Sequence, residues 1–266
     1  MRITGLFSGS SGNCVLFENE GVKLLIDAGM SARSIFMALG EIGVSPEDID
    51  GILVTHEHDD HVKGIGPVCR KLDIPVYANE KTLHSSLSKL GRMKDENMIL
   101  FNSNEPFEIK GTEIMPFSIN HDASDPVGFS FYDGKDKISL ATDMGVVTED
   151  ILLNLRGSKC AFVESNHDVQ MLKTGPYPMS LKKRILGEFG HLSNESAGIL
   201  CEELINSGTE SILLGHLSRH NNTPLIALNT VSGYLGNKGM IRGKDYKLNI
   251  ALHDRVSESI ETKKIL

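Results

Sequence analysis

The chain is 266 residues long, with 35 acidic and 27 basic side chains, a net charge of −8 and no tryptophan. That length can bury a large core; the acidic balance argues against a nucleic-acid partner, whose binders usually carry a basic face, and no run approaches the ~18–20 apolar residues that cross a bilayer. Cys14, Cys69, Cys160 and Cys201 are scattered without a Cys-x-x-Cys pair, the usage expected of reduced thiols in a cytoplasmic protein.

Residues 1–7 read as a strand, too short and unflanked for a secretory signal. Apolar runs and alternation then predict strands over 2–7, 14–18, 23–27, 51–55, 76–78, 113–119, 128–132, 138–143, 161–164, 211–216 and 247–252. Between them, 3–4 residue periodicity predicts helices over 32–42, 62–72, 81–90, 148–155, 181–189, 195–205 and 225–235. Residues 134–137 look like a hairpin turn, and Leu225, Leu228, Val231 and Leu235 form a stripe suited to covering a sheet. The alternation gives an α/β class. Without a repeat or low-complexity linker, residues 1–266 are expected to form a single domain.

The run His56-Glu57-His58-Asp59-Asp60-His61 follows the apolar strand that ends at Thr55, so three imidazoles and three carboxylates share one loop. Neutral imidazole nitrogens and carboxylate oxygens suit zinc and manganese. His56 and His58 straddle one residue and can reach one ion, while Asp60 and His61 can turn to a second ion beside it.

His-x-His-x-Asp-His after a hydrophobic strand resembles the signature of the metallo-β-lactamase superfamily of hydrolases, and further pieces follow in the family's order along nearly the whole chain. The resemblance implies a four-layer αββα sandwich with pseudo-symmetric halves. It assigns His56, His58 and His121 to a first ion and Asp60, His61 and His216 to a second, with Asp143 bridging. His220 competes with His216, but only His216 ends a strand, as the family pattern requires. Asp27, closing an earlier strand, is expected to hydrogen-bond and orient the histidine loop. Two such cations (Zn2+ or Mn2+) activate a shared water as the nucleophile and draw charge from a phosphoryl or carbonyl oxygen, so no Ser or Cys nucleophile is required. Asp60, beside that water, is counted with the catalytic residues.

Glu164, closing another strand, and Gly190-His191-Leu-Ser193 resemble the Glu and His motifs of the tRNA 3′-processing branch of the superfamily. There the Glu orients a His that protonates the leaving oxygen, a step that an alkoxide leaving group needs. Ser193 is expected to cap the helix that follows. The fuller pattern is closer to the YycJ group of bacterial metallo-β-lactamase-fold 5′→3′ DNA exonucleases. Its carriers are Ser8-Gly-Ser-Ser-Gly-Asn13, Leu25-Ile-Asp-Ala-Gly-Met-Ser31, Glu164-Ser-Asn-His-Asp168 and Gly190-His-Leu-Ser-Asn194.

The first loop can offer backbone N–H groups to a phosphate, although a tight turn explains it equally well. Ser10, Asn13, Asn166, His167, Arg219 and His220 are the substrate-contact candidates. Lys173, Lys182, Lys183, Arg184, Arg242, Lys244 and Lys247 are candidates for a local basic rim on this acidic chain. The expected activity is a dinuclear-metal phosphodiesterase, a 5′→3′ exonuclease acting on DNA with RNA not excluded, cytoplasmic, without membrane or obligate protein partner. The alternative is a hydrolase of thioesters, lactones or β-lactams on the same centre.

Overall fold

The computed structural model describes residues 1–262. The first half supplies β1 (Arg2–Phe7), β2 (Cys14–Asn19), β3 (Val22–Ile26), β4 (Gly51–Leu53), β5 (Val76–Ala78) and β6 (Met98–Leu100). The second supplies β7 (Phe107–Ile109), β8 (Thr112–Ser118), β9 (Val127–Asp133), β10 (Asp136–Ala141), β11 (Cys160–Glu164), β12 (Ser211–Gly215) and β13 (Lys247–Ile250), and β14 (Ile260–Glu261) returns to the first sheet. The two sheets run β14-β1-β2-β3-β4-β5-β6 and β13-β12-β11-β10-β9-β8-β7. Both use one pairing pattern. In the first, β1, β2 and β3 are antiparallel neighbours and β3 to β6 run parallel. In the second, β8, β9 and β10 are antiparallel and β10 to β13 run parallel.

Three apolar clusters separate the layers. Phe17, Leu24, Phe129, Phe131 and Phe162 pack between the sheets, with Phe17 and Phe131 stacked at 4.0 Å between centroids. The first sheet's outer face is covered by α1 (Ala32–Glu41), α3 (Ile65–Leu72) and α4 (Glu80–Leu90). The second is covered by α5 (Glu149–Leu155), α8 (Asn194–Asn206) and α9 (Pro224–Asn237). This is the expected αββα sandwich.

The expected helix over 62–72 is two pieces, α2 (Asp59–Val62) and α3. Gly64 breaks it by close packing: its N–H bonds Ala28 O at 2.8 Å, and a Cβ there would lie 1.9 Å from Met30 O. The helix expected over 181–189 is α7 (Met179–Ile185). The short strands β6, β7 and β14 and the helix α6 (Val169–Thr174) were not anticipated. Asp133 pairs with Asp136 across a two-residue turn in which Gly134 has φ +59°, the hairpin expected there. All four cysteines are buried and free, and burial raises each thiol pKa. Among the described residues no helix is long and apolar enough to cross a membrane.

Candidate metal centre and active site

The parallel strands β3, β4, β10, β11 and β12 deliver polar residues at their carboxyl ends, the usual ligand edge of an open α/β sheet. Asp27 follows β3, His56 follows β4, Asp143 follows β10, Glu164 ends β11 and His216 follows β12. Asp27, Asp143 and His216 have φ of 60°, 61° and 54°. Non-glycine residues at positive φ carry local strain, and surrounding structure must hold them there.

The histidine loop is pinned from behind. Asn13 N–H donates to Asp60 O at 2.7 Å and Ala28 N–H to His61 O at 2.9 Å. A Cβ on Gly29 would lie 1.7 Å from Asp60 O, so only glycine permits this approach. The Asp27 carboxylate accepts from Thr55 N and Oγ1, at 2.8 and 2.7 Å, and lies 2.7 Å from His61 Nδ1.

Facing inward, His56 Nε2 lies 3.1 Å from His58 Nδ1, which lies 3.3 Å from His121 Nε2. Such separations match the edge of a tetrahedron built on zinc–nitrogen bonds of about 2.0–2.1 Å, so the trio fits one divalent cation. Burial holds the His56 pKa well below its ordinary value and lowers that of His121. Asp60, His61 and His216 form a second group of converging donors. Between the groups, Asp143 Oδ2 is 3.4 Å from His61 Nε2 and 2.8 Å from His216 Nδ1, and Oδ1 is 3.8 Å from His121 Nε2. The donor set fits divalent cations by type and convergence.

Two opposed effects act on His61. Burial resists its protonation, and Asp143, Asp27 and Asp60 outweigh that cost, pushing its pKa up to about 10. Asn13 Nδ2, however, lies 2.9 Å from His61 Nε2. Gly9 N–H donates to Asn13 Oδ1 at 2.8 Å and so fixes the amide with its N–H groups towards the ring. Only a neutral ring can accept there. The geometry decides for a proton on Nδ1, towards Asp27, and a lone pair on Nε2.

Glu164 is fully buried. Its Oε1 lies 2.8 Å from His191 Nδ1, while Oε2 accepts from Met144 N at 2.8 Å and Leu192 N at 3.2 Å. His191 is also 3.6 Å from Asp143 Oδ1, placing the Glu164–His191 pair beside the cluster. Ser193 accepts from Ser196 N and caps α8, as expected.

The substrate-contact candidates separate. Ser10 is exposed at the tip of the first loop, whereas Ser8 Oγ accepts from His216 N at 2.7 Å. Asn13 is buried, its Nδ2 also 3.2 Å from Asp60 Oδ2, and acts on the cluster rather than on solvent. Asn166 is buried too and donates to His216 O at 2.9 Å, so it supports the β12 turn. His167 is 1% exposed and neither ring nitrogen has a hydrogen-bond partner among the described residues; burial pushes its pKa down to about 4. Arg219 and His220 are exposed, and His220 packs edge-on to Tyr177 at 5.7 Å, away from the donors that surround His216.

The basic rim also divides. Arg184 on α7 grips Asp122 through Nε and Nη2, at 2.5 and 2.9 Å, and Asp122 Oδ1 is 3.4 Å from His121 Nε2. Lys244 and Lys247 instead cluster with Ser211 at the start of β12, the end opposite His216. Sequence reasoning missed Asp122, Thr55 and Ser8; an acid directly following a strand-end histidine was the available signal for Asp122.

The Metallo-beta-lactamase superfamily model matches residues 8–216. The chain is 37% identical to exodeoxyribonuclease YycJ of Bacillus anthracis over 94% of each chain. It is likewise 37% identical to exodeoxyribonuclease WalJ of Streptococcus pneumoniae over 91% of each. Among solved structures, the metallo-β-lactamase-fold protein YhfI of Bacillus subtilis superposes with a TM-score of 0.71 at 18% identity, covering 96% of this chain and 98% of that one. With the strand-end histidines and carboxylates converging as described, the chain belongs to the metallo-β-lactamase superfamily, in the family of the YycJ and WalJ exodeoxyribonucleases.

Proposed function

We propose that the protein is a dinuclear-metal phosphodiesterase that removes nucleotides from DNA ends, acting as a cytoplasmic, single-domain enzyme. His56, His58 and His121 hold one divalent ion, Asp60, His61 and His216 a second, and Asp143 lies between them, with zinc and manganese both suited to the donors. When bound, the pair lowers the pKa of a water and draws charge from the phosphoryl oxygens.

The chain's own residues do the rest. Asp27 fixes the His61 tautomer through Nδ1, and Asn13 steadies the Asp60 carboxylate. The observation that carries the reading is the Glu164–His191 pair beside Asp143. Glu164 accepts the His191 Nδ1 proton, leaving Nε2 to deliver a proton to the leaving oxygen. A phosphodiester with an alkoxide leaving group needs that proton, whereas the thiolate expelled from a thioester does not. The exodeoxyribonuclease activity of the YycJ and WalJ relatives supports the same substrate class.

Metal-reconstituted protein tested on end-labelled DNA and RNA, beside a thioester and a chromogenic cephalosporin, examines this directly. Release of labelled mononucleotides from DNA is expected, and release from the 5′ end gives the polarity. Turnover confined to the cephalosporin or thioester, or a strong preference for RNA, overturns it.

A pH prediction follows for loading. Burial opposes protonation of His216, but Asp143, with Glu164 and Asp60, pushes its pKa up to about 9. The metal-free ring is therefore charged at pH 7 and must lose a proton to become a ligand. Metal uptake at pH 7 is expected to release close to one proton from this side of the centre, and affinity there should rise as pH approaches about 9. Calorimetry in two buffers of different ionisation enthalpy reads the release; identical heats would contradict it.

A further inference from the structure

A cleft of about 280 Å³ lies between α1 and residues 253–256, lined by Phe7, Met30, Met37, Val256, Arg219 and His253. It is one loop away from the metal centre. Met30 and His253 pack on the glycines of the first loop: a Cβ on Gly12 would lie 2.4 Å from Met30 Sδ, and one on Gly9 2.2 Å from His253 Nδ1. That same loop carries Ser8, which holds the His216 backbone, and Asn13, which touches His61 and Asp60. Arg219, which lines the cleft, follows His216 by three residues and so ties the cleft to the β12 end of the centre.

Size and chemistry select the occupant. The volume sits at the small end of ligand clefts, roughly 300–1,000 Å³, which suits one nucleotide and no folded partner. The apolar wall includes Met37, which is 60% exposed on the side of α1 away from the buried Ile35, Ala38 and Leu39. Methionine sulfur packs favourably against aromatic rings, bases included. Arg255 Nε has Asp254 at 3.7 Å, whereas Arg219 makes no hydrogen bond or ion pair among the described residues. An unpaired guanidinium on a chain of net charge −8 is a ready phosphate partner. His253 lies in the same wall, beside the Arg219 charge. Glu41 and Asp254 also line the cleft and leave room for one phosphate rather than two.

We propose that this cleft is a nucleotide subsite, holding the base of a DNA residue next to the scissile phosphodiester against Met30 and Met37 and its phosphate on Arg219. The subsite's part in catalysis rests on the phosphodiesterase reading above, while occupancy by a nucleotide can be tested apart from it.

The full-length protein labelled with 13C at its methionine methyls is titrated with dAMP, the Met30 and Met37 lines being assigned by leucine substitution. Both lines should shift saturably under the base ring current, while Met179, exposed on α7, stays still. In parallel, Met37→Glu, an exposed position that does not threaten the fold, should raise KM on single-stranded DNA by roughly tenfold, the low side of what stacking one base contributes. The change should fall on KM rather than kcat. Stationary Met30 and Met37 lines, with DNA cleavage intact and KM unchanged in Met37→Glu, overturn the subsite and leave the phosphodiesterase standing. Saturable shifts from a protein that cleaves no DNA support the subsite and overturn the phosphodiesterase.

Discussion

Replacing His191 by alanine should leave the metals bound and slow DNA cleavage by roughly 10²–10⁴-fold, the range of a general acid. The reason is positional. His191 lies 3.6 Å from Asp143 and 2.8 Å from a buried carboxylate, so its outward nitrogen can carry a proton to an oxygen leaving the centre. Glu164→Gln should cost less than loss of the imidazole, because an amide oxygen can still accept the Nδ1 proton but does not stabilise the charged ring. It is not harmless, since the amide then places its NH2 where Oε2 accepted from the Met144 and Leu192 N–H groups, and those two buried donors lose their acceptor. A nitrophenyl phosphodiester, whose leaving group needs no proton, should be slowed far less by either change. Equal losses on both substrates, with metals intact, would make His191 a positioning residue and weaken the case for phosphodiester cleavage.

The second large effect belongs to Asp143→Asn. The carboxylate is buried among His61, His121, His191 and His216. Burial alone would raise its pKa, yet the His216 charge and hydrogen bond hold it well below the carboxylate range. Asparagine keeps the volume and removes the charge. A carboxylate that serves two ions should take both down with it, with metal affinity falling by about 100-fold or more, beyond the 10–100-fold of an outer partner. Metal analysis after dialysis reads this. One ion retained at wild-type affinity in Asp143→Asn would mean that Asp143 serves a single site.

Much of this was legible in the sequence because the fold hangs its chemistry on strand ends. Apolar runs that stop at Asp27, Thr55, Asp143, Glu164 and His216 are visible without coordinates, and the histidine cluster announces its chemistry by residue type. The same strand-end rule separated His216 from His220, which the structure leaves exposed against Tyr177. Contacts made across the sandwich were not legible. Nothing local says that Asn13 reaches Asp60 over 47 positions, or that Ser8 holds His216 over 208. Residue type did not reveal burial either: Asn166 and His167, expected to touch substrate, are both buried. Helix α6 was hidden by its brevity, six residues behind an Asp168 cap. The break at Gly64 depends on Met30 backbone packing that periodicity does not encode.

The most direct test of the dinuclear centre is an anomalous difference map from metal-loaded crystals, collected on both sides of the metal's absorption edge. Two peaks roughly 3.5–4 Å apart are predicted, one among His56, His58 and His121, the other among Asp60, His61 and His216, with the Asp143 carboxylate between them. A single peak, or a second peak held by His220 in place of His216, would contradict the assignment.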